Sequence, residues 1–167
     1  VATAALRRDT CISSITEATA TSYAPAAVSG DLDALPFPAR HLVDRTRYRS
    51  ILARRQPITT VITSRGCPFR CHFCSNLESG QRVRMRSAEN VVAELIETVA
   101  RFGIRDFLIF DELFTVNRKR VLRICEEIRR AGLRIRWHCR SRADVIDAEM
   151  ARAMKAAGCR LVQLGIE

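Results

Sequence analysis

Segments typical of β-strands alternate with segments typical of α-helices from residue 58 onward, and this order constrains the fold more than any other feature. Four β-branched or apolar runs predict strands at residues 58–63, 107–110, 134–139 and 161–166. Three amphipathic segments between them predict helices, each with an N-cap residue and a closing glycine: Ser87 and Gly103, Asn117 and Gly132, Asp147 and Gly158. Such alternation implies parallel strands joined by right-handed crossovers that curl the sheet. The prediction is an α/β fold, an incomplete parallel (β/α) barrel of about four strands.

The remaining residues suggest a division of the chain into three parts. Residues 1–28 have no sustained period and predict an irregular tail or a remnant of something longer. Residues 29–56 predict a connector, with two prolines around Phe37 that favour extended backbone. Its anchoring contacts are expected from four apolar side chains: Leu32, Leu35, Phe37 and Leu42. Residues 57–167 then form the N-terminal part of the barrel, and we expect the sequence to be a piece of a longer protein.

A loop with three cysteines, Cys67-Pro68-Phe69-Arg70-Cys71-His72-Phe73-Cys74, follows the first predicted strand. In a 4Fe-4S cluster each iron takes one protein sulfur, so this loop alone leaves one iron open to another ligand. Half of a zinc site, with His72, is the alternative. Structural zinc requires a closed set of four ligands, usually from two paired motifs, and no second pair lies nearby.

The other cysteines and the charge distribution exclude several classes of protein. The seven cysteines are too unevenly spaced for a disulfide scaffold, so a reduced, cytoplasmic protein is expected, with Cys125, Cys139 and Cys159 as small buried side chains. No run approaches the roughly 18 apolar residues of a membrane span. The net charge of +10 comes almost entirely from arginines spread along the chain instead of forming one stripe. Nucleic acid is therefore not the expected partner.

Polar residues gather at the predicted carboxyl ends of the strands, where ligands bind in β/α folds. These ends carry the cysteine loop, Asp111 with Glu112, Arg142, and Glu167. Other roles are open for some of them. Asp111 and Glu112 also suit turn residues, Arg142 also suits a surface pair with Asp144, and His41 and His138 suit packing or surface positions.

The cysteine loop directly after a strand resembles the signature of the radical S-adenosylmethionine (SAM) superfamily, whose barrel is usually a partial (β/α)6. Residues 31–40, 110–118 and 158–167 resemble more narrowly the subgroup that carries an upstream cobalamin-binding domain. That subgroup includes methyltransferases acting on unactivated carbon or phosphorus and ring-forming enzymes. The fold that the resemblance implies is an incomplete barrel of the radical SAM type.

The resemblance also implies cofactors and contacts. Cys67, Cys71 and Cys74 would hold a 4Fe-4S cluster whose open iron chelates SAM, and reduction would yield a 5'-deoxyadenosyl radical. Five residues would contact SAM: the backbone of Phe73 the adenine, Asp111 and Glu112 the methionine ammonium, Arg142 the carboxylate, and Glu167 the ribose or amino group. Asp111 stands where the superfamily has a glycine. No residue is singled out as acting directly on the substrate.

The function implied is methyl transfer or rearrangement on a small molecule. An electron donor such as flavodoxin or ferredoxin is expected, with cobalamin bound by a domain outside this chain. The isolated chain is expected to be a poor catalyst. Two alternatives stay open: a radical SAM methylthiotransferase acting on RNA or a ribosomal protein, and a non-catalytic iron-sulfur module. The module would be expected to bring a fourth cysteine at ligand spacing.

Overall fold

A computed structural model of the chain describes residues 30–74 and 82–165. Within those ranges the strands are β1 (Ile58–Val61), β2 (Ser64–Arg65), β3 (Arg84–Met85), β4 (Asp106–Ile109), β5 (Arg136–Arg142) and β6 (Cys159–Gly165). The helices are α1 (Ala88–Phe102), α2 (Arg118–Arg130) and α3 (Ala148–Ala156). None of these helices has the length and apolar character needed to cross a membrane. The tail predicted at residues 1–28 lies outside the described residues.

Four strands form one parallel sheet in the order β1-β4-β5-β6, so the predicted α/β fold with a parallel sheet of four strands is confirmed. Each crossover carries one helix, and α2 packs between α1 and α3 along one face. The core lies between this helical layer and the sheet. Its largest member is Trp137, whose ring meets Phe114 edge to face with centroids 5.5 Å apart.

The predicted helix ends are confirmed. The side chains of Ser87, Asn117 and Asp147 accept hydrogen bonds from backbone N–H groups three residues further on, as N-caps do. Gly158 is needed for a separate reason. It has φ of +98°, and a Cβ there would lie 2.3 Å from the carbonyl oxygen of Ile135. Only glycine permits α3 to return to the sheet this closely.

The bounds of all four predicted strands differ from the observed ones, by one residue at each end of β4 and by two residues at the start of β6. β1 ends at Val61 instead of residue 63, because the chain leaves the sheet and Ser64–Arg65 pairs antiparallel with Arg84–Met85. This second sheet was not predicted. β5 begins at Arg136 and continues to Arg142, since its last residues pair with β6 up to Gly165. Residue 166 of the predicted fourth strand lies outside the described residues.

The connector is less extended than predicted. Beyond Pro38 the chain forms two short 3-10 turns, Arg40–Leu42 and Arg45–Arg47, because the restriction that each proline imposes reaches only its immediate neighbours. Leu32 is buried as expected, and Leu35 and Phe37 are half-buried. Leu42 is 76% exposed, so its predicted anchoring role is wrong. A second buried anchor of the connector, beside Leu32, is Arg40, which is buried despite its charge.

Arg40 belongs to a buried ion cluster around Glu94 of α1, which is 1% exposed. One carboxylate oxygen of Glu94 lies 2.5 Å from Nη2 of Arg40, and the other pairs with Arg86. The same guanidinium groups donate to the carbonyl oxygens of Thr60 at 2.8 Å and Ile62 at 2.9 Å. Among the described residues β1 is an edge strand, so these carbonyls have no neighbouring strand there to bond with. The hydrogen bonds of the two guanidinium groups therefore take the place of those that a neighbouring strand would make at this edge.

Substitution of Glu94 by Gln should lower the free energy of unfolding by about 3–5 kcal/mol, because two buried guanidinium groups lose their counter-charge. Urea unfolding followed by circular dichroism measures the change. The matched control is Glu97→Gln on the same helix, where the exposed pair with Arg101 predicts a change within about 0.5 kcal/mol. Equal losses in the two variants would contradict a special role for the buried cluster.

Candidate functional site

The cysteine loop begins at a tight turn after β2. Gly66 is buried with φ of 92°, a conformation that suits glycine. Cys67 and Cys71 are half-buried and Cys74 is exposed, and the amide of Cys74 donates to the carbonyl of Cys71 at 3.0 Å. Within the described ranges, no three His, Cys, Asp or Glu side chains lie close enough together to hold a metal ion. Three thiols in one loop nevertheless match the ligand chemistry of an iron-sulfur cluster.

Asp111 and Glu112 point to opposite sides of the sheet. Phe107, Ile109 and Asp111 are all buried towards the helices, and the alternate positions Phe110 and Glu112 are exposed. The alternation of β4 thus continues past its end. It places Asp111 in the interior and Glu112 on the open side of the rim.

The carboxylate of Asp111 is fully used inside the protein. It accepts hydrogen bonds from the amide of Thr63 at 2.6 Å, from the hydroxyl of Thr63 at 2.5 Å and from the hydroxyl of Ser64 at 2.7 Å. Burial raises the pKa of Asp111, and these hydrogen bonds oppose that rise. With no exposed surface, Asp111 is poorly placed for the predicted contact with SAM. Its contacts hold the chain segment that leads into the cysteine loop.

Arginines hold the other side of the same segment. Arg120 of α2 donates to the carbonyls of Thr63 and Arg86, both at 2.7 Å. The amide of Arg86 also donates to the carbonyl of Thr63 at 3.0 Å. Sequence reasoning missed this role of Arg86 and Arg120. Their positions on a helix and beside a short strand show no pattern that distinguishes them from surface arginines.

Arg142 connects the end of β5 to the cysteine loop. Its guanidinium pairs with both carboxylate oxygens of Asp144, at 3.0 and 2.8 Å, which is the surface pairing considered above. The same group lies 4.4 Å above the ring of Phe69, and its Nη1 is 3.4 Å from Sγ of Cys71. The structure therefore brings Arg142 and Cys71 together, as the convergence of strand ends predicts.

A cavity of about 450 Å³ opens on the same rim. Glu112 lines it, together with Ile62 after β1, Phe110 after β4 and Arg140 on β5. Arg140 stacks 4.4 Å above the ring of Phe110. The cavity thus combines one exposed carboxylate, the side chains of three arginines (Arg65, Arg84 and Arg140) and apolar walls, which suits a ligand with charged and apolar parts.

The other predicted residues fall into three groups. Phe73 is 67% exposed in the loop, and Glu167 lies outside the described residues. Cys125, Cys139 and Cys159 are buried as predicted, and burial raises the pKa of Cys125 to about 12. His41 is exposed. His138 is buried in the sheet, where burial lowers its pKa.

Comparison with known proteins agrees with this geometry. The sequence profile of the radical SAM superfamily matches residues 61–167. An uncharacterized methyltransferase from Pyrococcus horikoshii is 39% identical over 138 residues, which are 82% of this chain and 29% of that protein. An anaerobic magnesium-protoporphyrin IX monomethyl ester cyclase from Cereibacter sphaeroides is 34% identical over 108 residues, 62% of this chain and 18% of the cyclase.

A solved structure is also similar. The radical S-adenosylmethionine methyltransferase TsrM from Kitasatospora setae, with cobalamin and a 4Fe-4S cluster bound, aligns with a TM-score of 0.60 and 29% identity. The alignment covers 66% of this chain and 21% of that one. The chain therefore spans less than a third of the length of each of these three proteins.

The contribution of Asp111 to stability should fall as pH rises. Burial raises its folded-state pKa above the ordinary value of 3.8, so folding favours the protonated carboxyl, and that advantage is lost as pH rises through the folded pKa. Urea unfolding of the wild type and of Asp111→Asn, from acid to neutral pH, measures the difference between their free energies of unfolding. The free energy of unfolding of the wild type minus that of Asp111→Asn should decrease with rising pH.

Asp144→Asn is the control for that measurement. Arg142 lowers the pKa of Asp144, so the stability contributed by its carboxylate is lost as pH falls. The difference from wild type should therefore change with pH in the opposite direction. A pH-independent difference for Asp111→Asn would contradict the raised pKa.

Proposed function

Because the chain belongs to the radical SAM superfamily, we propose that it forms the cluster-binding part of an enzyme that carries out methyl transfer or rearrangement on a small molecule. The observation that carries the proposal is the three-thiol loop at the carboxyl ends of parallel strands, with Arg142 beside Cys71 and the exposed Glu112 on the same rim. The superfamily uses a 4Fe-4S cluster and SAM. When bound, the cluster supplies the electron that cleaves SAM to a 5'-deoxyadenosyl radical.

The residues of the rim have separate binding roles in this proposal. Cys67, Cys71 and Cys74 bind the cluster through their thiolates. Glu112 accepts hydrogen bonds from the ammonium group of SAM on the open side of the rim, where its carboxylate is exposed. The backbone of Phe73 contacts the adenine, and Glu167 contacts the ribose or amino group.

Two residues receive revised roles. Asp111 acts as a positioning residue, because its carboxylate already holds Thr63 and Ser64 ahead of the loop. Arg142 reaches the carboxylate of SAM only by exchanging part of its pairing with Asp144. Its existing contact with Cys71 makes it a cationic neighbour of the cluster ligands.

The proposal extends to the whole protein. The relatives reported above are methyltransferases and a cyclase, which favours methyl transfer or ring formation over methylthiolation. A cobalamin bound by a domain outside this chain is supported by the cobalamin in the similar structure. In this proposal the connector and the barrel act as one unit, which the contacts of Arg40 with Thr60 of β1 and Glu94 of α1 support. An electron donor such as flavodoxin or ferredoxin would reduce the cluster before each reaction.

We also place the protein in the cytoplasm as part of this proposal. The six cysteines of the described residues are all free thiols, although three of them are buried side by side in one core. Free thiols persist in reducing compartments.

Cys71→Ala should abolish both the cluster absorbance and the release of deoxyadenosine, because a cluster ligand is lost. Anaerobic reconstitution followed by a SAM-cleavage assay measures both. Cys125→Ala is the control, since this thiol is buried in the core and its loss should cost only about 1 kcal/mol of packing. Loss of the cluster in Cys125→Ala instead would show that the ligands are wrongly assigned.

Arg142→Gln should lower the reduction potential of the cluster by tens of millivolts, because a positive charge beside Cys71 favours the more negative reduced state. A redox titration followed by electron paramagnetic resonance measures the potential. The matched control is Arg118→Gln, which also breaks a surface pair with acidic side chains. Equal potentials in the two variants would rule out an influence of Arg142 on the cluster.

A further inference from the structure

A second cavity, of about 710 Å³, lies at the opposite end of the sheet, where the strands begin. Leu133, Ile135, Ala156, Ala157 and Gly158 form its apolar lining, and the one acidic lining residue is Asp106. The other lining residues are six arginines: Arg54, Arg55, Arg105, Arg134, Arg136 and Arg160. None of these arginines lines the cavity at the cysteine rim.

The arginines share a position in the βα repeat. Each parallel strand is preceded or entered by at least one of them: Arg55 shortly before β1, Arg105 before β4, Arg134 and Arg136 at β5, and Arg160 at β6. Parallel strands begin at one edge of a sheet, so residues far apart in sequence meet there. The dispersed arginines of the sequence thus become one concentrated site.

Five of these six arginines have no ion pair with an acidic side chain among the described residues, in contrast to several arginines elsewhere in the chain. On α2, three exposed arginines pair with acidic side chains: Arg118, Arg123 and Arg130. In the cavity, within the described residues, only the guanidinium of Arg136 lies near a carboxylate, with its Nε 3.6 Å from Oδ1 of Asp106. The same oxygen accepts a hydrogen bond from the backbone amide of Arg54 at 3.3 Å. The Nε of Arg136 is buried and has no hydrogen-bond acceptor among the described residues, and the buried Oδ2 of the neighbouring Asp106 has no donor there. The free Nε is therefore available to an oxygen atom of a bound anion.

Helix ends do not account for the charge. Arginine near a helix C-terminus is favourable, and the three helices end towards this edge, contributing roughly half a negative charge each. Together with Asp106, they balance fewer than half of the six guanidinium charges. Without a bound anion, the unbalanced positive charges of these arginines would repel one another.

We propose that this cavity binds the phosphate groups of a small polyphosphate anion. Arginine forks bind phosphate oxygens in pairs, which suits several phosphates joined together. The volume lies within the range of about 300–1000 Å³ typical of small-molecule sites. No aromatic side chain of the described residues lines the cavity, so these residues offer no platform on which a base would stack. The phosphates, rather than a nucleoside, therefore determine the affinity.

Calorimetric titration of the full 167-residue chain with inorganic triphosphate tests the proposal. We expect saturable binding, a similar Kd for ATP, and much weaker binding of sulfate at the same ionic strength. The single tryptophan reports the location, since Nε1 of Trp137 donates to the carbonyl of Ala157 in the cavity wall at 2.9 Å. Its fluorescence should change in step with the calorimetric signal.

The double variant Arg134→Gln with Arg160→Gln should raise the Kd for triphosphate about tenfold or more, because two charged donors are lost. The control, Lys119→Gln with Arg152→Gln, removes the same charge from exposed helix positions outside the cavity and should leave the Kd unchanged. If circular dichroism shows that the first variant is unfolded, Arg134→Lys with Arg160→Lys replaces it. That variant keeps the charge but loses the fork and should bind with an intermediate Kd.

Three results would overturn the proposal. The first is equal weakening in the cavity variants and the control, which would indicate general charge attraction. The second is sulfate binding as tight as that of triphosphate. The third is an RNA oligonucleotide that binds more tightly than triphosphate and competes with it, which would identify a nucleic-acid surface instead. None of these results depends on the cluster, so the proposed enzymatic function is tested separately.

Discussion

The buried carboxylate of Glu94 and the two guanidinium groups that it holds organise the start of this fold. Arg40 comes from the connector and Arg86 from the residue after β3, and they donate to the carbonyls of Thr60 in β1 and of Ile62 just after it. Charged groups can be buried in this way because each is paired and hydrogen-bonded. This ion cluster joins three distant segments of the chain and completes an edge of the sheet that no strand of the described residues covers. The direction in which the chain leaves β1 depends on it.

That direction determines where the cysteine loop lies. After β1 the chain turns out of the sheet, and Asp111 and Arg120 hold Thr63 from opposite sides, one through its amide and hydroxyl and the other through its carbonyl. Ser64–Arg65 then pairs with β3, and the first cysteine follows Gly66. A site that binds a cofactor through a loop requires such rigid support. Here polar contacts supply this support, because the segment lies outside the apolar core.

Arginine has different roles in different parts of this molecule. In the interior, Arg40, Arg86 and Arg120 bond to backbone carbonyls, and on α2 exposed arginines pair with nearby acids. At the cysteine rim Arg142 lies beside a thiol, and at the opposite edge six arginines line one cavity together with a single described carboxylate, Asp106. A net charge of +10 conceals these differences. The parallel sheet separates them, since it gathers the beginnings of the strands at one edge and their ends at the other.

The sequence by itself determined the order of strands and helices, the helix caps and the cysteine loop, because these depend on residues close together in the chain. It also placed Asp111, Glu112 and Arg142 at the strand ends. Only the tertiary structure decided which of the two adjacent acids faces the rim, although the alternation of β4 offered a signal. The contact of Arg142 with Cys71, the cluster around Glu94 and the gathering of arginines at the strand entries also appeared only in three dimensions. Each joins segments separated by tens of residues, and no local spacing or periodicity encodes such a contact.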